Sequence, residues 1–235
     1  MVVRSDLDVM LSFAGRTATP ARQPAPYRSG GFGGATGLAD YLVRERFDIL
    51  IDATHPYAAA ISANAVTAAG LTNVPLVLLK RPSWQAVAGD RWTEVSNVPA
   101  AVQALGNPPR RVFVTLGRNE LKPFARAPQH HYLFRSVDPV DPPLPLPQAT
   151  YVTARGPFAE ADERALMNAH RIDVVIAKNS GGTATYAKMI AARTLGVDVI
   201  MLRRPPAPEG PIVETIDDAL AWLDHALTSP TARGV

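Results

Sequence analysis

One pattern occurs twice in this chain, and it constrains the fold more than any single motif does. FDILIDATHPYAAAISANAVTAAGLTNVPLVLLKRP starts at Phe47, and IDVVIAKNSGGTATYAKMIAARTLGVDVIMLRRP starts at Ile172. Each runs through an apolar stretch, a polar turn, an alanine-rich segment of helical length and a second apolar stretch. Each then closes on a basic pair followed by proline. A similar tail follows both, TEVSNVPAAVQAL from Thr93 and VETIDDALAWL from Val213. Continuous β-branched runs without polar alternation suit strands covered on both faces, and such strands alternating with helices define parallel βαβ units. The repeat therefore predicts an α/β fold of two similar Rossmann-like domains with parallel sheets and a cleft between them. The domains are 1–107 and 108–235, with the boundary in the turn GNPPR at 106–110.

The same reading predicts strands at 8–13, 48–52, 75–79, 111–116, 131–136, 149–154, 172–177 and 198–202. Helices are predicted at 35–46, 56–69, 98–105, 120–126, 158–170, 183–195 and 216–227. The proline-rich stretch VDPVDPPLPLP at 137–147 can be neither helix nor central strand and is predicted to be a surface loop. The two halves differ at their start. The second opens with RVFVTLGRNEL before HYLFRS, whereas the first opens at DVMLSF, the match of HYLFRS. The N-terminal domain thus reads as lacking its first βα unit, where a nucleotide-binding half usually carries its glycine-rich turn.

Composition removes several classes of function. There is no cysteine among the 235 residues, so disulfides, iron–sulfur clusters, thiolate zinc sites and cysteine nucleophiles are excluded. A net charge of +3 gives no argument for nucleic acid. No signal peptide and no membrane-length apolar run is evident, and a cytoplasmic protein is expected. HExxH, GxSxG and GxxxxGK[ST] motifs are absent and no metal site is expected.

In parallel sheets, ligands bind beyond the carboxyl ends of the strands, so the residues that follow each strand carry the argument. They are polar and basic here: SFAGRT, DATHPY, TLGRNE, FRSVD, TARGPF and AKNSGG. Ser12, Gly15, Arg16 and Thr17 fit the ribose and 2′-phosphate of NADP. Gly31, Phe32, Gly33 and Gly34 precede a helix and offer backbone amides to a phosphate. Thr54 is placed to cap the next helix and is grouped with the cofactor-binding residues. His55 is held on a rigid corner with Tyr57 beside it, and Lys178 occupies the matching corner of the second half; these three are the candidate catalytic groups. Arg118, Arg135, Arg155 and Lys178 at strand ends suit a ligand with several anionic groups, with Gly117 permitting close approach. Asn179, Ser180, Gly181 and Gly182 complete that set as an anion nest at a helix start.

Together, AGRTA with GGFGG, LIDATHPYAAAISANA, TLGRNEL and IAKNSGGTATYAKMIAARTLGVDVIMLRRP resemble the precorrin-6A reductase family of cobalamin biosynthesis, from about Asp8 to the closing helix. The resemblance implies NADPH as hydride donor and a polycarboxylate tetrapyrrole, precorrin-6A, as acceptor. A macrocycle double bond would be reduced to give precorrin-6B, with transient contact to the next pathway enzyme. It implies few strictly catalytic groups, the proton coming from His55, Tyr57, Lys178 or water. The family's opening strand and GGT-type turn have no counterpart here, in agreement with the internal repeat. Reduction of the cobalt-containing intermediate, and tetrapyrrole binding without turnover, remain alternatives on these residues.

Overall fold

The computed structural model describes residues 4, 6–15 and 22–228. The chain divides into two compact units, Met1–Lys80 with Pro206–Val235, and Arg81–Pro205. The first unit contains β1 (Leu11–Phe13), β2 (Tyr27–Ser29), α1 (Ala35–Arg44), β3 (Leu50–Asp52), α2 (Ala59–Thr72) and β4 (Leu76–Leu79). The second contains β5 (Trp92–Val95), α3 (Val98–Ala104), β6 (Arg111–Val114), β7 (His131–Ser136), β8 (Ala149–Thr153), α4 (Glu160–Ala169), β9 (Val174–Lys178), α5 (Ala187–Leu195) and β10 (Asp198–Leu202). Finally β11 (Ile212–Val213) and α6 (Ile216–Thr228) return to the first unit.

This division corrects the boundary expected near residue 107. Hydrogen bonding, not chain order, decides it. β5 follows β4 in sequence but pairs in parallel with β10, and β11 follows β10 but pairs in parallel with β4. The two tails of the repeat are exchanged between the units. Both crossings fall at the basic–proline turns, where a proline that lacks an N–H and fixes φ stops the preceding strand.

The second unit is built on one six-stranded parallel sheet in the order β5-β10-β9-β6-β7-β8. The middles of its central strands are apolar and buried, as in a parallel sheet covered on both faces. Phe113, Val175, Met189, Ala191 and Met201 are among its fully buried side chains. Each large aliphatic side chain buried this way contributes roughly 1.5–3 kcal/mol. The first unit repeats the pattern in two pieces, β11-β4-β3 and β1-β2, all parallel. Matching the units by the repeat pairs β11 with β5, β4 with β10, β3 with β9, β1 with β7 and β2 with β8. Among the described residues, no strand of the first unit corresponds to β6, and the first unit's strands form two sheets where the second unit has one. Its core is formed by Leu38, Leu42, Ala65, Ala68, Leu76 and Leu78 from α1, α2 and β4.

Most expected elements are present, with shifts at their ends. The helix expected from Pro56 begins at Ala59, and the one expected from Thr183 begins at Ala187. Asn97 caps α3 through its side chain, which accepts from the Ala100 amide at 2.9 Å. Among the described residues, no helix is long and apolar enough to cross a membrane.

Candidate functional site

The glycine loop of the first unit follows a strand, β2. Tyr27–Ser29 is too short and too polar to stand out in sequence, but it pairs with Leu11–Phe13 residue for residue. The Gly30 amide donates to the Phe13 carbonyl at 2.8 Å, and a Cβ on Gly15 would lie 3.4 Å from the Gly30 Cα. The turns after β1 and β2 are thereby brought together. This gathers Ser12 and Gly15 with Gly31, Phe32, Gly33 and Gly34. Arg16 and Thr17 lie outside the described residues. Gly33 and Gly34 hold positive φ of 82° and 99°, and a Cβ on Gly31, Gly33 or Gly34 would meet nothing within 4 Å. Gly34 is the N-cap of α1 and offers no side chain to its first-turn amides. Strand, open glycine loop and helix start make a cradle whose donors suit a phosphate.

Arg28 organises this loop and was missed in the sequence reading. Its Nη1 donates to Ser12 Oγ and to the Gly30 carbonyl, both at 2.9 Å, and Nη2 donates to the Gly31 carbonyl at 3.2 Å. The guanidinium lies 3.9 Å above the Phe32 ring centroid. Ser12 is thus a partner of Arg28. No spacing rule flags a cation in mid-strand whose acceptors are carbonyls of the next turn.

The DATHP corner follows β3 in the same unit. Asp52 and Lys80 form an ion pair at 2.8 Å whose carboxylate is almost wholly buried. Lys80 Nζ also donates to Ser62 Oγ at 2.8 Å and to Thr54 Oγ1 at 3.3 Å, and the Thr54 amide donates to Asp52 Oδ1 at 2.9 Å. Burial pushes the Asp52 carboxyl up, but hydrogen bonds from Lys80, Ser62 and Thr54 outweigh it and hold the group below its ordinary value. Thr54 does not cap α2: the N-cap is Ala58, with no side-chain cap bond, and the Thr54 hydroxyl turns into the Lys80 network. Above it His55 is exposed. Its Nδ1 accepts from the Tyr57 amide at 3.3 Å, and the two rings sit 5.6 Å apart. An accepting Nδ1 places the neutral ring's proton on Nε2.

In the second unit the corners after β6 and β9 are tied together. Lys178 Nζ pairs with Glu120 Oε2 at 2.5 Å, and the same oxygen accepts from the Gly117 amide at 3.2 Å. Gly117 and Arg118 are exposed beside this pair. Asn179 is buried, and its amide is committed to the main chain of Trp84: Oδ1 accepts from Trp84 N at 2.7 Å and Nδ2 donates to Trp84 O at 2.8 Å. It braces the corner rather than presenting a free donor. Trp84 Nε1 in turn donates to the Gly182 carbonyl at 2.8 Å. Gly181 and Gly182 both have φ of 68°, and a Cβ on Gly181 would run into the Pro82 carbonyl and Arg204. Only glycine fits there. Because α5 starts at Ala187, Ser180–Gly182 form a turn four residues ahead of the helix, not its first turn.

Arg155 is exposed after β8, next to a loop whose Phe158 amide donates to Ala184 O at 3.4 Å. Arg135 is different and corrects its assignment to the ligand. It is 8% exposed, held bidentately by Glu163 at 2.5 and 3.2 Å, and lies between the Phe113 and Phe158 rings. Its guanidinium is committed to Glu163 inside the core, so its charge is not offered at the strand-end edge. Lys188 sits in the same region, with Nζ donating to Thr185 O at 2.7 Å and lying 5.2 Å from the Trp84 ring. Desolvation, aided by Arg135 and opposed by Glu163, brings its pKa down to about 8.

A parallel α/β chain with a glycine loop at a helix start in one unit and exposed arginines after the strands of the other falls in the class of Rossmann-like proteins. The family model described as Precorrin-6x reductase CbiJ/CobK matches residues 1–224, and the chain belongs to that family. It is 54% identical over 220 residues to a precorrin-6A reductase of Sinorhizobium sp, spanning 94% of this chain and 84% of that protein. It is 50% identical over 229 residues to the precorrin-6A reductase of Rhodobacter capsulatus, spanning 97% and 90%. A cobalt-precorrin-6A reductase of Priestia megaterium is 28% identical over 204 residues, spanning 83% and 78%. The solved structure of a CobK precorrin-6A reductase superposes with a TM-score of 0.90 at 50% identity, covering 96% of this chain and 89% of that one. The Rossmann-like fold and an oxidoreductase activity expected from the sequence follow from these matches.

Proposed function

We propose that this chain reduces precorrin-6A to precorrin-6B in cobalamin biosynthesis, with NADPH as the reductant. The observation that carries the reading is membership of the precorrin-6x reductase family at 54% identity to a precorrin-6A reductase. Higher identity to the precorrin-6A enzymes than to the cobalt-precorrin enzyme at 28% favours the metal-free macrocycle. When bound, the dinucleotide supplies a hydride to one carbon of a macrocycle double bond. The chain's own residues do the rest. The Gly30–Gly34 loop, held by Arg28, offers amides to the pyrophosphate. Arg118 and Arg155 are exposed cations that suit the acetate and propionate groups rimming such a substrate. His55 carries a proton at Nε2 on an exposed corner, and is the group best placed to complete the reduction. Lys178 is held by Glu120 and serves to fix the corner after β9. The reading also places the enzyme in the cytoplasm and expects hand-over of product to the next pathway enzyme.

The test is anaerobic turnover with precorrin-6A, comparing NADPH with NADH. The expected product is heavier by two hydrogens, with NADPH preferred. Equal use of NADH would overturn the cofactor assignment, and an unchanged macrocycle would overturn the reaction.

A further inference from the structure

The two basic–proline turns share a sequence but not a use of their cations. In Lys80–Arg81–Pro82 the first cation is buried against Asp52, Ser62 and Thr54. In Arg203–Arg204–Pro205 it is the second that is committed. Arg204 Nε donates to the Asn179 carbonyl at 2.7 Å, Nη1 to the Arg81 carbonyl at 2.6 Å and Nη2 to the Pro82 carbonyl at 3.1 Å. Each turn therefore holds one brace and leaves one cation over, Arg81 and Arg203. Both are exposed, and neither side chain has a hydrogen-bond or ion-pair partner among the described residues.

Their backbones are fixed nonetheless. Arg204 grips the Arg81 carbonyl, and the Arg203 amide donates to the Val95 carbonyl at 2.8 Å. Both belong to the second unit and both border the corner after β9. Arg81 lies against Gly182, where an added Cβ would fall 3.1 Å from its Cδ and 3.6 Å from its Nη1. Arg203 directly follows Leu202, which is in register with Lys178. The carboxylate at this corner, Glu120, is already held by Lys178 and the Gly117 amide. Two guanidinium groups with pinned backbones and open donors, beside a glycine turn that admits close approach, match carboxylate or phosphate oxygens.

We infer that Arg81 and Arg203 are anion anchors that set specificity for the carboxylate rim of the tetrapyrrole. The inference rests on the proposed reaction and adds two residues to it. Arg81→Gln, Arg203→Gln and the double variant are compared with the unaltered chain in anaerobic turnover, with KM measured separately for precorrin-6A and NADPH. Each single variant should raise the tetrapyrrole KM about tenfold, the loss of one charge-assisted contact. The double variant should exceed either single, with kcat and the NADPH KM little changed. A rise in the NADPH KM instead would assign the anion to the cofactor phosphate and overturn the inference, as would no change in either KM.

Quenching of an octacarboxylate porphyrin, uroporphyrin, is measured on the same proteins without NADPH. Weaker binding by the double variant than by the unaltered chain supports the anchors even if the unaltered chain fails to turn over precorrin-6A. Equal binding, or none by the unaltered chain, overturns them.

Discussion

The corner after β3 and the corner after β9 occupy the same place in the two repeats, yet their buried braces differ in chemistry. The first rests on a buried ion pair, Asp52 with Lys80, whose remaining hydrogen bonds reach Thr54 and Ser62. The second has a partly exposed ion pair, Lys178 with Glu120, and its buried brace is a neutral amide, Asn179, clasped to the Trp84 main chain, with Arg204 spread over three carbonyls. Both solutions satisfy buried polar groups, as they must. They differ in what breaks them. A buried ion pair fails when either partner is lost or neutralised, because the other charge is left without solvent. An amide clasp carries no charge and is indifferent to pH. One topology thus tolerates either solution, and the residue after the strand decides which.

The largest effect should come from Lys80→Met, which strands the Asp52 carboxylate in the interior and should cost about 3–5 kcal/mol in urea unfolding. Adding Asp52→Asn to it should recover most of that loss. A cost within about 1 kcal/mol for the single variant would show that charge is not what holds the first corner. In the second unit, Lys188→Met should act in the opposite direction. The folded-state pKa of Lys188 is about 8 against an ordinary 10.5, so between these values the unfolded chain binds more protons and stability rises with pH. Below about pH 8 the full cost of burying the charge applies, and the substitution should stabilise by up to about 3 kcal/mol there. That gain should vanish above about pH 10.5; a pH-independent gain would point to packing instead.

Next comes Asn179→Ala, which leaves the Trp84 N–H and C=O unpaired and should cost about 2 kcal/mol with no pH dependence. Chemical denaturation at two pH values checks both halves of that statement. The smallest effect is the acid response of the first corner. The folded-state value of Asp52 lies below its ordinary 3.8, so the stability it contributes is present above that ordinary value and is lost as pH falls through the folded one. The paired Asp52→Asn/Lys80→Met variant should therefore lose less stability than the unaltered chain between about pH 6 and pH 3. Parallel acid limbs for the two proteins would remove Asp52 from the account.

The parts legible in sequence were those governed by local chain chemistry. The runs at 111–114, 174–178 and 198–202 are mostly apolar with β-branched residues, and 131–136 has an aromatic and aliphatic centre; together they form the middle of the six-stranded sheet. The glycines of the loop at 30–34 and the pair at 181–182 were legible because positive φ and close backbone approach admit little else. β2 was not legible, since three polar residues carry no periodicity and only pairing with β1 makes them a strand. The two helix starts were read too early because Pro56 and Thr183 look like first-turn residues. The side-chain pull of Lys80 on Thr54, and of Trp84 on Gly182, shapes those turns instead.

The sequence by itself determined that this is a parallel α/β chain built on a duplicated unit, with a kinship to the precorrin-6A reductases. Period, turn residues and motif spacing are local properties, and they survive without coordinates. The tertiary structure decided which strands pair, and so moved the boundary by exchanging β5 and β11 between the units. It also decided which cations are buried and which are exposed. Arg135 and Arg155 look alike in sequence, but one is sealed between aromatic rings with Glu163 and the other is exposed. Burial and partner choice depend on residues far away in the chain, and only the folded packing specifies them.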